Sequence, residues 1–96
     1  MIVTTTHDIT GKTIIEYKGL VFGEETGLRY STSFNTQKNM EKFEKMVITA
    51  KQKALNKLVS DASNWGANAV VGISFSVDYE GAAILVSATG TAVVVE

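Results

Sequence analysis

The sequence predicts an α+β fold: a small β-sheet with one long amphipathic helix packed on it, the elements running β-β-α-β-β along the chain. Three observations carry that expectation. Apolar residues recur at helical spacing from about residue 39 to residue 65; β-branched and aromatic residues crowd the segments on both sides; and an alternation of period two sets in after residue 66. The 96 residues form a single domain, 1–96, because a chain of this length supports only one core. With 45% hydrophobic and 20% charged residues it has the composition of a packed globule, not of a disordered chain.

Residues 1–6, "MIVTTT", and 13–22, "TIIEYKGLVF", are strand-rich in composition, and "HDITGK" between them holds the Asp and Gly of a turn. Alternation along the second strand places Thr13, Ile15, Tyr17, Gly19 and Val21 on one face. Ile14, Glu16, Lys18, Leu20 and Phe22 share the other. That face turns apolar after Gly19, so Leu20 and Phe22 are expected to meet something beyond the monomer. Residues 23–38, "GEETGLRYSTSFNTQK", lose periodicity and gain Gly, Ser, Thr and Asn, which reads as the longest irregular segment.

The helix is expected from Asn39 to Trp65, with Met40, Phe43, Val47, Ala50, Ala54, Leu58, Ala62 and Trp65 forming its apolar stripe. Asn39 suits the N-cap, Glu41 and Glu44 suit the positive end of the dipole, and Gly66 suits a left-handed C-cap. Six of the nine basic residues, Lys38, Lys42, Lys45, Lys51, Lys53 and Lys57, belong to the helix or its approach and read mostly as its solvated face. Ile48, Leu55 and Val59 make a second stripe roughly 80 to 120° round the helix, more than one sheet can cover, and are expected at a subunit contact.

After Gly66, Ala69, Val71, Ile73, Phe75, Val77 and Tyr79 are expected on one strand face. "YEGA" offers a two-residue Glu-Gly turn, and residues 82–95 return as the last strand, with Ala88, Gly90 and Ala92 forming a small-residue track on which Trp65 could rest. Long Val- and Ile-rich strands in so thin a sheet have borders that need pairing, and no segment is spare for it; pairing between subunits is the economical solution.

A net charge of −1 gives no overall attraction to nucleic acid or anionic membranes, so neither is an expected partner. There is no cysteine, which excludes disulfides, thiolate metal sites and thiol catalysis. No apolar run reaches the length of a membrane span and the N-terminus has no secretory pattern, so a cytoplasmic location is expected.

"TTT" near the start, "GKTIIEYKGLVFGE", the long helix, "GANAVVGISF" and "VSATGTAVVV" resemble the YbjQ-like family, also called UPF0145 and sometimes labelled heavy-metal-binding. Tyr17, Gly19, Val21 and Gly23 match one family motif and residues 66–73 match a second, with Asn68 standing where an acidic residue is common. The resemblance implies a ring-shaped homopentamer in which short extra strands join neighbours, and it implies no established enzymatic activity.

The heavy-metal label directs attention to ligands, and the donors are few. His7 is the one histidine; beside Asp8 it reads as a turn residue. Glu24 and Glu25 form a carboxylate pair that suits a hard cation or acid-base work, against the plainer reading of solvated charges. His7, Glu24 and Glu25 are the metal candidates, and a ring could gather copies of them round its axis. Asp61 falls on the apolar side near the helix end, where exposure is the plain reading. Ser31, Thr32 and Ser33 have no nucleophile context, Arg29, Tyr30 and Phe34 carry too little charge to track phosphates, and no glycine-rich phosphate loop occurs. The expected function is that of a non-enzymatic homo-oligomer, with Leu20, Phe22, Ile48, Leu55 and Val59 at its interfaces, no resident cofactor, and a small ligand or ion at subunit boundaries. The alternative is a divalent or heavy-metal sensor or chaperone.

Overall fold

Among the described residues four strands and one helix form in the predicted order: β1 (Ile2–Val3), β2 (Ile14–Leu28), α1 (Thr36–Asn64), β3 (Ala69–Glu80) and β4 (Ala83–Val95). The structure, a computed structural model, describes residues 1–28, 36–81 and 83–96, with backbone alone at residues 28 and 36–39. The sheet is mixed, with spatial order β1-β3-β4-β2; β1 runs parallel to β3, and the other neighbours are antiparallel. Helix α1 covers one face, lying over β2 and β4 and scarcely over β3.

The main core forms under α1. Ala50, Ala54, Leu58 and Ala62 meet Val21, Val70, Ile73, Ile84, Val86, Ala88 and Ala92, with Phe43, Met46 and Val47 packed at the margin. Leu58 is fully buried, which contributes roughly 2 kcal/mol by transfer from water. A smaller cluster on the opposite face joins Ala69, Val71, Val93 and Val95 to Ile9 and Ile14, so the β1–β2 connection covers one end of the back of the sheet. The helix stops as expected at Gly66: its N–H donates to Ser63 O and that of Ala67 reaches back to Ala62 O, the bond pair of a Schellman ending.

Residues 23–28 are not irregular. They continue β2, pairing from Gly23↔Ala88 to Leu28↔Ala83. Gly23 looks like a loop residue by composition, but a Cβ there would overlap Ala54 O and come 2.8 Å from Leu58 N. The glycine is the groove in which the helix backbone rests. At its other end α1 begins at Thr36, so Asn39 lies inside the helix and cannot be its N-cap. Of the expected loop, residues 29–35 lie outside the described residues, and with them Arg29, Tyr30, Ser31, Thr32, Ser33 and Phe34.

Bulges overturn two of the expected strand faces. In β3 the register with β4 shifts between Val71 and Ser74, around Gly72 with its positive φ of 63°. Val70 and Ile73 therefore both reach the main core, while Ala69 and Val71 point to the back cluster; the single apolar face from Ala69 to Tyr79 breaks at Gly72. In β2, shifts between Ile14 and Glu16 and between Tyr17 and Gly19 leave Tyr17 opposite Val93, on the back of the sheet and no longer with Val21. The β3–β4 turn falls one residue later than the Glu-Gly dipeptide, since Glu80 still pairs with Ala83. Trp65 rests against Gly19 of β2, not on the Ala88–Gly90–Ala92 track: a Cβ at Gly19 would come 2.9 Å from its ring. Gly90 instead faces Val70 and Ile73.

Candidate functional site

The sheet leaves backbone unpaired on both sides. β2 is a border strand, so its whole outer side has no ladder partner among the described residues. On the opposite side, residues 1–6 serve only the start of β3: β1 pairs with Ala69 and Val70, Gly72 N donates to Thr6 O, and Ile73 N donates to Thr4 O. Residues 74–80 of β3 have no such neighbour among the described residues.

Apolar side chains gather near these borders. Leu20 pairs across with Thr91 and Phe22 with Thr89, on the back of the sheet beside Tyr17, where no helix lies. Tyr17 is 70% exposed, Leu20 62% and Phe22 56%. The placement of Leu20 and Phe22 follows the alternation; Tyr17 joins them through the bulge, whose only sequence signal is Gly19. Of the three flank residues of α1, Leu55 and Val59 are half-buried and pack on the chain's own core. Ile48 alone stays open, at 67% exposure. Phe75 and Tyr79 are also exposed, because β3 runs out from under the helix; Phe43 reaches Tyr79 with ring centroids 6.2 Å apart.

The metal candidates do not converge within one chain. His7 lies beside Gly72 at the β3 side of the sheet. Glu24 is level with Ser76, four residues further along β3 and two strands across, a separation of roughly 16 Å from strand rise and spacing. Glu25 is already engaged: Lys57 Nζ lies 2.7 Å from its Oε2 and also donates to Glu24 O at 2.9 Å. That hydrogen bond, with the charges of Lys57 and Lys53, holds the Glu25 carboxyl below the usual carboxylate range against a smaller opposing effect of burial. No group of three His, Cys, Asp or Glu side chains suited to a metal ion occurs among the described residues. Asp61 is half-buried in the last turns of α1.

A family model described as "Putative heavy-metal-binding" matches residues 1–96. A UPF0145 protein from Clostridium kluyveri is 41% identical, the match covering all of both chains, and one from Listeria welshimeri is 40% identical over all of this chain and 96% of its own. The chain belongs to the UPF0145 (YbjQ-like) family. A solved structure of a DUF74-family protein of unknown function from Pediococcus pentosaceus superposes with a TM-score of 0.63 over all of this chain and 98% of that one, at 21% identity, and so shares the fold. The two UPF0145 motifs now have physical reasons. Gly19 and Gly23 are where Trp65 and the helix backbone approach β2, and the segment from Gly66 to Ile73 ends the helix and carries the Gly72 bulge. Neither motif presents a ligand set. Among the described residues of this UPF0145 chain, no helix is long and apolar enough to cross a membrane.

Proposed function

We propose that the chain is a non-enzymatic cytoplasmic protein that works as an assembly of its own copies, five being the number that the family resemblance suggests. The observation that carries this reading is the backbone left without a ladder partner among the described residues: the outer side of the 15-residue strand β2, with Tyr17, Leu20 and Phe22 beside it, and the stretch 74–80 of β3. Such borders are templates for another strand, and this chain does not blunt them with proline, having none. The radius of gyration, 16.2 Å, exceeds the value of about 12.5 Å for a compact domain of this length, as for a subunit whose surface is completed by neighbours.

Sedimentation or light scattering tests it. The expected mass is a multiple of the 10.3 kDa chain, falling toward one chain when Leu20 and Phe22 are both replaced by lysine. A wild-type mass of one chain at micromolar concentration overturns the proposal. The family description favours a second reading, a divalent or heavy-metal sensor or chaperone. Its site would have to draw on several copies, because His7, Glu24 and Glu25 of one chain stand apart.

A further inference from the structure

We propose that the cleft between the outer border of β2 and the first half of α1 binds a small phosphorylated anion. The cleft is a solvent-open concavity of about 270 Å³, and its lining includes Lys42, Lys45, Lys53, Thr49, Met46 and Glu25. Positions 42, 45, 49 and 53 fall on successive turns of one side of the helix, so the lysines and the threonine project together toward the β2 border.

The charge balance favours an anion. Glu25 is the one carboxylate in the lining, and Lys57 already neutralises it at 2.7 Å. The ion pairs among the described residues are Lys57–Glu25 and Lys18–Glu16, so the ammonium groups of Lys42, Lys45 and Lys53 have no carboxylate partner there. Lys42, Lys45 and Lys53 gather round one concavity with Glu25 as its single carboxylate, and Glu25 is bound by Lys57 and also feels the charge of Lys53, so in a chain whose net charge is −1 the local field is positive and favours anions over metal cations. Lysine supplies compact, mobile charges suited to phosphate oxygens, and the Thr49 hydroxyl adds a neutral donor. The floor is apolar: Met46 packs against Gly27, where a Cβ would come 3.1 Å from its Cγ, and Ala50 joins the lining. A phosphate held at the lysine rim, with a flat apolar portion over Met46, fits this lining. The lining residues among those described all come from one chain, so the inference stands apart from the assembly proposed above.

Calorimetric titration with inorganic pyrophosphate and with adenosine monophosphate, at low ionic strength and without added metal, tests it. Saturable binding is expected for both probes, weakened by added salt and reduced at least about tenfold in the combined Lys42→Gln, Lys45→Gln, Lys53→Gln variant. Lys12→Gln, on the β1–β2 connection, should bind like the wild type. The absence of saturable binding at millimolar probe overturns the proposal, as does an unchanged affinity in the triple variant. Light scattering on the same samples separates the two readings: a triple variant that loses binding and keeps its mass supports the cleft as a site, whereas one that also falls to single chains assigns the lysines to assembly and overturns it.

Discussion

The carboxamide of Asn68 brackets the peptide of Val95: Asn68 Nδ2 donates to Val95 O at 2.9 Å, and Val95 N donates to Asn68 Oδ1 at 2.8 Å. The backbone of the same residue donates to Val93 O and accepts from Ile2 N, so one asparagine ties the start of β3 to the end of β4 and to β1. An amide serves because it carries a donor and an acceptor side by side.

Replacing Asn68 by alanine leaves both polar groups of Val95 without these partners. The expected loss is about 1 to 3 kcal/mol of unfolding free energy, read from urea denaturation. Asn68→Asp keeps the accepting half of the pair and should fall between the wild type and alanine. Equal stability of all three proteins would show that water replaces the bracket at no cost.

Gly23→Ala should be among the most damaging single-atom-group additions in the chain. The new methyl would collide with helix backbone at Ala54 and Leu58, which can yield only by moving α1 off β2. A loss on the order of 3 kcal/mol is expected in thermal or urea unfolding. Gly11→Ala, where a Cβ would meet nothing within 4 Å, separates this collision from backbone strain, since Gly11 has a positive φ and Gly23 does not.

The Glu25–Lys57 pair should shape the acid limb of the stability curve. Because the folded carboxyl titrates below its ordinary value of 4.5, its contribution is complete above that value and is lost as pH falls through the lower folded pKa. Glu25→Gln should therefore flatten the dependence of unfolding free energy on pH in the acid range and leave its slope near neutrality unchanged. Urea midpoints measured from neutral pH downward read this directly.

Titration of the wild type with zinc, copper or nickel should match that of His7→Ala. His7 belongs to no group of three metal-ligating side chains among the described residues, and the chain has no cysteine to supply a thiolate. Heat that vanishes with the histidine would instead place a metal site between copies.

Much of the architecture is legible along the chain. The spacing of Phe43, Val47, Ala50, Ala54, Leu58 and Ala62 marks the helix and its buried stripe, and Gly66 marks its end, because helix periodicity and capping are decided by neighbours a few residues apart. The strands and their order in sequence follow from the same local patterns. The site is less legible. Leu20 and Phe22 emerge as uncovered apolar residues by alternation, but Tyr17 joins them only through a bulge, and Leu55 and Val59 turn inward because α1 is seated against the sheet at an angle that no spacing specifies. The lysines read as a uniform solvated face until β2 is seen to extend beside them.

The amino-acid sequence by itself determined which segments become helix and strand, and that one face of the helix is buried, since these depend on short-range pattern. Only the tertiary structure decided that Gly23 lies in the middle of a strand, that Gly72 reverses the faces of β3, and that Lys42, Lys45 and Lys53 border a cleft. The physical reason is that a missing Cβ has no meaning until a partner distant in sequence, here the backbone of Ala54 and Leu58 or the ring of His7, moves into the space it leaves.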